Sequence, residues 1–335
     1  MILVTGGTGL VGSHLLYKLI CNGEKVRAIY RNPKKLENIK NVFSCYTSNY
    51  LELYNSIEFV EADILDISLL TNAFKNIEYV YHCAAFVSFE PHKYILSRKT
   101  NIEGTANIVN MCLANNIKKL CHVSSIATLG NSNNNKPIDE SSIWNPEADN
   151  SVYSITKYGA EMEVWRGTQE GLNAVIVNPG VILGAGIWRY GTGNLFKRAH
   201  KGFTYYTNGT VGLVAVDDVV NIMIALLKST ITNQRFVLVA ENWTYKRFLQ
   251  TLAKSVNKKA PKKQAPIFLL KIAWKLDWIK SKLTGKRRVL TKHIVTALTT
   301  EKNYSSKHLK ATLNYTFTPI NETIQEIGAC FLKHK

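Results

Sequence analysis

Apolar residues in this chain gather into short runs separated by helical patterns. Runs of strand length lie at Met1 to Val4, Val26 to Tyr30, Ile57 to Val60, Tyr79 to Cys83, Leu120 to Val123 and Ala174 to Val177. After the first run, Leu15, Leu16, Leu19 and Ile20 recur at three- and four-residue spacing and form one helix face, which Gly23 closes. Strand-length runs alternating with helical segments predict an α/β fold, a doubly wound parallel sheet with helices on both faces. A length of 335 residues exceeds one ordinary domain, and 46% hydrophobic content supports a sizeable core. One large α/β unit with a smaller lobe is therefore expected.

Charge changes the picture only near the C-terminus. The formal net charge is +18, and residues 254–292 hold thirteen Lys or Arg against one acid, Asp277. The centre of that segment, Ile267 to Leu283, has the apolar density and flanking lysines of an amphipathic helix. Two readings stand: a helix of the smaller lobe with Trp274 and Trp278 packed inward, which is preferred, or a helix lying on an anionic membrane surface. Nucleic acid is not expected as a partner, because no recognition motif accompanies the charge.

No run approaches the ~18 apolar residues of a membrane span, and the first apolar run is consumed by a strand, so neither a span nor a signal peptide is expected. The six cysteines show no paired spacing. A reducing cytoplasm and no metal site follow as expectations.

Three local patterns carry chemistry. In Gly6-x-x-Gly9-Leu10-Val11-Gly12 a glycine-rich turn joins the first strand to the first helix. Glycines there let a dinucleotide pyrophosphate approach backbone N–H groups at a helix N-terminus. Tyr153 and Lys157 are one helical turn apart, so an ammonium shares a face with a phenol and should lower a pKa that is ordinarily ~10. Ser124 and Ser125 end the fifth apolar run, where a parallel strand meets its ligand crevice. Ser125 is the choice for orienting a substrate oxygen, with Ser124 as runner-up.

With these patterns in this order, the chain resembles the extended short-chain dehydrogenase/reductase superfamily, the NAD-dependent epimerase/dehydratase family. The resemblance implies a Rossmann-type dinucleotide domain over 1–178 and 213–240, and a substrate-binding lobe over 179–212 and 241–335. It implies Ser125, Tyr153 and Lys157 as catalytic residues. It places the cofactor against Gly6, Gly9, Leu10, Val11, Gly12, Asp63, Ile64, Ala84, Tyr153, Lys157 and Pro179. Asp66 beside Asp63 reads instead as a helix cap, as does either aspartate of Val216-Asp217-Asp218. The Tyr81-His82-Cys83-Ala84 and Asn101-Ile-Glu-Gly104-Thr105 motifs are expected to act through backbone and packing. A homodimer through the Tyr153 helix is common in the superfamily.

At the end of the second strand, relatives preferring NAD carry an acid, whereas this chain has Arg31-Asn32-Pro33-Lys34-Lys35. These cations suit a 2′-phosphate, with Arg31 stacking on the adenine and Lys34 or Lys35 adding charge, so NADP(H) is favoured over NAD(H). Val26-Arg27-Ala28-Ile29-Tyr30-Arg31-Asn32-Pro33 resembles the branch containing dihydroflavonol reductases and 3β-hydroxysteroid dehydrogenases. The expected activity is reduction of a carbonyl, or oxidation of the alcohol, on a small hydrophobic molecule. Phe86, Phe89, Trp188, Tyr190, Phe196 and Phe203 are candidates for the pocket or equally for the core, and Arg189 for meeting an acidic group or for a solvated position. One departure is Gly130, where plant flavonoid enzymes place a substrate-binding asparagine; Asn131 is adjacent. A nucleotide-sugar epimerase or dehydratase holding NAD is the rival, with Asn178 at the sugar-nucleotide position. A non-catalytic NADP sensor is a third reading, opposed by the intact Tyr153 and Lys157.

Overall fold

In a computed structural model of the chain, residues 1–131, 136–284, 288 and 290–334 are described. The stretch Ser132-Asn133-Asn134-Asn135, whose sequence reads as a polar surface loop, lies outside them. Seven strands form one sheet: β1 (Ile2–Thr5), β2 (Val26–Tyr30), β3 (Glu58–Glu61), β4 (Tyr79–His82), β5 (Lys119–Val123), β6 (Ala174–Pro179) and β7 (Gln234–Leu238). Their order is β7-β6-β5-β4-β1-β2-β3 and every pairing is parallel. Six lie within a residue or two of the apolar runs. The seventh begins with polar Gln234-Arg235 at the sheet edge and continues into a further apolar run, Phe236 to Ala240.

Alternation along each strand decides which helices it meets. Leu3, Val80, Leu120 and Ile176 join a core with Leu70, Ile108, Val109 and Val164 on one face. Their neighbours Val4, Tyr81, Cys121 and Val177 join Leu15, Leu16, Leu19, Val219 and Met223 on the other. Burial on both sides explains why the central strands read as near-continuous apolar runs, interrupted by His82 and His122. The strand order reverses between β1 and β4, which opens a ligand crevice at their carboxyl ends.

A second core belongs to the smaller lobe. Strands Val181–Leu183, Thr210–Ala215 and Glu241–Thr244 form a three-stranded sheet covered by the Tyr245–Ser255 and Ile320–Lys333 helices, around Trp243, Phe248, Leu252, Ile324 and Phe331. The boundary expected between 212 and 213 falls inside the Thr210–Ala215 strand. The Val216–Lys228 helix then returns the chain to the main sheet.

Several expectations are corrected by packing. Trp188, Phe196 and Phe203 belong to the lobe core; Trp188 meets Phe331 edge-on at 5.2 Å. Trp278 is 44% exposed rather than turned inward, and Trp274 is half-buried. Neither Asp217 nor Asp218 caps a helix: Asp217 accepts from the Tyr46 hydroxyl at 2.6 Å, and buried Asp218 accepts from Tyr315 and Thr318. Asp66 does cap the Ile67–Ala73 helix, through the Leu69 N–H at 3.0 Å.

Candidate active site

The glycine-rich turn is shaped for close approach. Gly6 has φ +70°, and a Cβ there would lie 2.5 Å from the Ala84 nitrogen; on Gly12 it would lie 2.3 Å from the Gly6 carbonyl. Only glycine lets β1, the turn and the segment after β4 pack this tightly. Gly9 begins the Leu10–Cys21 helix without a capping side chain, so its first-turn N–H groups face outward for an anion. These features fit a dinucleotide.

Arg31 stands at the end of β2 with its side chain 58% exposed, and Lys34 and Lys35 follow on a short turn capped by Asn32. Arg31 and Asp63, both expected at the adenine, form an ion pair at 3.2 Å. Asp63 also accepts from the Leu65 N–H at 3.1 Å, which fixes its carboxylate at the crevice edge. Ile64 is buried against Gly104, and Pro179 ends β6 in the core.

The Val152–Gln169 helix starts at Ser151, whose hydroxyl caps the Ser154 N–H at 3.1 Å, and brings Tyr153 to Ser125. The Phe89 ring lies 5.2 Å from the Tyr153 ring. Burial pushes the Tyr153 phenol up, and its hydrogen bond with Ser125 works against that. Lys157 Nζ donates to the Val123 carbonyl at 2.8 Å, and in this arrangement burial outweighs any lowering of the phenol by its ammonium. Burial draws the Lys157 ammonium down to about 8, opposed by the nearby Glu161 and Cys83.

The two serines separate cleanly. Ser125 faces Tyr153, whereas Ser124 donates to Glu161 Oε2 at 2.6 Å. Glu161 is fully buried and also accepts from Thr128 at 2.8 Å, Asn178 Nδ2 at 2.9 Å and Arg235 Nη1 at 3.0 Å. A buried carboxylate is tolerated where several donors meet it. The sequence reading missed Glu161, although Tyr153, Lys157 and Glu161 at four-residue steps share one helix face. Asn178, the position linked to sugar nucleotides, is fully buried and spends its amide on Ser125, Thr128 and Glu161.

Two further positions shape the crevice. Asn101 bonds both backbone groups of Phe86, at 2.7 and 3.0 Å, and Thr156 at 3.1 Å, so it ties the segment after β4 to the Tyr153 helix. At Gly130 a Cβ would lie 1.7 Å from the Ile143 carbonyl, so no asparagine fits there. Arg189 and Tyr190 are exposed, and Tyr190 hydrogen-bonds Asn38.

The family model described as the NAD dependent epimerase/dehydratase family matches residues 2–239. A candidate dihydroflavonol 4-reductase of Synechocystis sp. is 29% identical over 278 residues, 81% of this chain and 77% of that protein. Sterol demethylase protein B of Methylococcus capsulatus is 25% identical over 268 residues, 79% of this chain and 77% of that protein. UDP-glucose 4-epimerase of Thermotoga maritima, solved with UDP-glucose, superposes with a TM-score of 0.74 at 22% identity, covering 99% of both chains. At that identity the likeness is one of fold.

Proposed function

The chain belongs to the NAD dependent epimerase/dehydratase family, and from that premise we propose that it is an NADP(H)-linked reductase of a small, hydrophobic carbonyl compound. Gly6, Gly9, Leu10, Val11 and Gly12 would hold the pyrophosphate through backbone N–H groups. Arg31 and Lys35 would meet the 2′-phosphate, Asp63 and Ile64 the adenine side, and Ala84, Lys157 and Pro179 the nicotinamide riboside. When bound, the dinucleotide supplies or takes up hydride.

The chain's own residues handle the proton. Ser125 orients the substrate oxygen, and the Tyr153 hydroxyl gives its proton to that oxygen as the carbonyl carbon is reduced. With its pKa raised by burial, Tyr153 carries its proton at neutral pH, which suits a proton donor. Lys157 keeps a positive charge beside the site below about pH 8. Alcohol oxidation would need the phenolate and is favoured only at alkaline pH.

The observation that carries this reading is the placement of the Ser125 hydroxyl beside the Tyr153 phenol, with the Phe89 ring 5.2 Å from the Tyr153 ring. Against the epimerase reading stands Asn178, which is fully buried and whose Nδ2 is committed to the network of Ser125, Thr128 and Glu161. The relatives named as a dihydroflavonol 4-reductase and as sterol demethylase protein B point toward flat, apolar substrates.

The test has two parts. The purified protein should exchange NADPH freely and oxidise it with members of a panel of hydrophobic aldehydes and ketones; a tightly retained NAD would favour the epimerase. Tyr153→Phe should lower turnover by about 10²- to 10⁴-fold, the usual worth of a general acid, with NADPH affinity nearly unchanged. Full activity in that variant would remove Tyr153 from the chemistry.

A further inference from the structure

The Ile267–Thr284 helix buries none of its residues. Leu270, Ala273, Trp274, Asp277 and Ser281 are half-buried and form the side turned to the protein, where the helix rests on the Lys292–Thr299 helix. The opposite side carries Phe268, Leu269, Ile272, Leu276, Ile279 and Leu283, exposed by 43% to 82%. At ~100° per residue these six fall within one arc of about 100°. Lys271, Lys275 and Lys282 border that arc on one side and Lys280 on the other. Lys282 Nζ lies 4.6 Å from the Trp278 ring centre, so an ammonium and an indole share the boundary.

Six neighbouring apolar side chains in water are a standing cost, since soluble monomers rarely expose contiguous apolar patches above a few hundred Å². Charge identifies what relieves it. The stripe sits in a segment, 254–292, with thirteen basic residues and one acid. A second copy of the chain would bring two lysine rims together, and like charges across an interface oppose association. A nucleic acid would satisfy the lysines and leave the stripe in water. An anionic bilayer surface satisfies both: apolar side chains enter the headgroup–acyl boundary by about 5–10 Å, while lysine stems reach back to the phosphates.

We propose that the Ile267–Thr284 helix docks the protein on an anionic lipid surface, with the Phe268–Leu283 stripe inserted and the flanking lysines at phosphate level. The helix behind it is tied to the active-site side of the molecule, because Lys292 pairs with Asp149 at 2.8 Å in the loop leading to the Tyr153 helix. Docking thus sets the lobe, and the approach to Tyr153, beside the bilayer. This proposal stands apart from the reductase reading and is tested without turnover.

The experiment is flotation of the full-length protein with equimolar phosphatidylglycerol–phosphatidylcholine vesicles, compared with pure phosphatidylcholine. Wild type should float with the anionic vesicles and not with the neutral ones. Binding should be lost in about 1 M salt, where screening extends only ~3 Å. The variant I272S/L276S/I279S and the variant K271E/K275E/K282E should each lower partitioning about tenfold or more. None of these side chains is buried, so melting temperature and NADPH binding should match wild type in both.

Three results would overturn the proposal. They are no flotation with anionic vesicles at low salt, undiminished flotation of both variants, or a wild-type dimer in sedimentation velocity that the serine variant dissolves. The last would make the stripe a face between copies of the chain.

Discussion

Glu161→Gln isolates the electrostatic link between the buried network and the active site. Glu161 lies one turn beyond Lys157, and neighbours at that spacing are about 6 Å apart. At an effective dielectric of ~20, a unit charge at ~6 Å is worth about 3 kcal/mol, or ~2 pKa units. Arg235, 3.0 Å from Glu161, offsets part of that field, so a net effect of about one unit is expected on Lys157.

The sign follows from which form is needed. Burial holds Lys157 at about 8 while Glu161 raises it, so removing the carboxylate charge lowers it further. The ammonium exists below its pKa, and the alkaline limb of kcat/KM for reduction should therefore move down by about one pH unit. The assay is the initial rate of NADPH oxidation across pH, with NADPH binding by fluorescence as a readout that needs no substrate. Glu161→Asp keeps the charge and should leave the limb nearer its wild-type position. Setting an amide against the Arg235 guanidinium and the Trp165 N–H costs roughly 1–3 kcal/mol, so rates are taken on the folded fraction. An unmoved limb in folded Glu161→Gln would refute the coupling.

Other expectations are independent of that one. Arg31→Ser should raise KM for NADPH about tenfold or more while NADH changes little, because only the 2′-phosphate loses a partner; equal effects on both cofactors would remove the assignment. His82 is held between Thr5 at 2.7 Å and Thr105 at 2.9 Å, and burial pulls its pKa to about 3 from 6.5. The unfolded chain then takes up a proton first as pH falls through 6.5, and stability drains toward pH 3 by up to about 1.4 kcal/mol per pH unit. Urea midpoints measured from pH 7 to 4 should fall less steeply in His82→Asn. The Cys45 and Cys330 sulfurs lie 2.9 Å apart, and the hydrogen bond they share draws the Cys330 thiol down to about 7. Limited iodoacetamide at pH 7 should label Cys330 before any other cysteine, as peptide mass spectrometry would show, and Cys45→Ala should slow it.

The parts legible in the sequence are those encoded within a few consecutive residues. Apolar runs marked six of the seven parallel strands, since burial on both faces of the central strands favours apolar residues there. Gly6, Gly9 and Gly12 announced the tight turn because only glycine tolerates those contacts. Tyr153 and Lys157 announced a shared helix face because four residues make about one turn. Family membership followed from the same local signals.

What tertiary structure decided depends on segments that no spacing connects. The choice of Ser125 over Ser124 rests on one-residue strand register, which turns one hydroxyl to Tyr153 and the next to Glu161. The environment of Glu161 draws on the loop after β5, on β6 and on β7, so its donors could not be counted from a helix face alone. Cys45 and Cys330, 285 residues apart, meet only because the last helix packs back beside the segment holding Cys45. Of the six aromatic residues that could line a pocket or fill a core, Trp188, Phe196 and Phe203 pack in the lobe core and Phe89 lies beside Tyr153, since an apolar side chain suits either place and only packing distinguishes them. The basic C-terminal segment shows the same division. Its composition specified an amphipathic helix, while the fold decided which arc stayed in water, because it offered protein contact to one side alone.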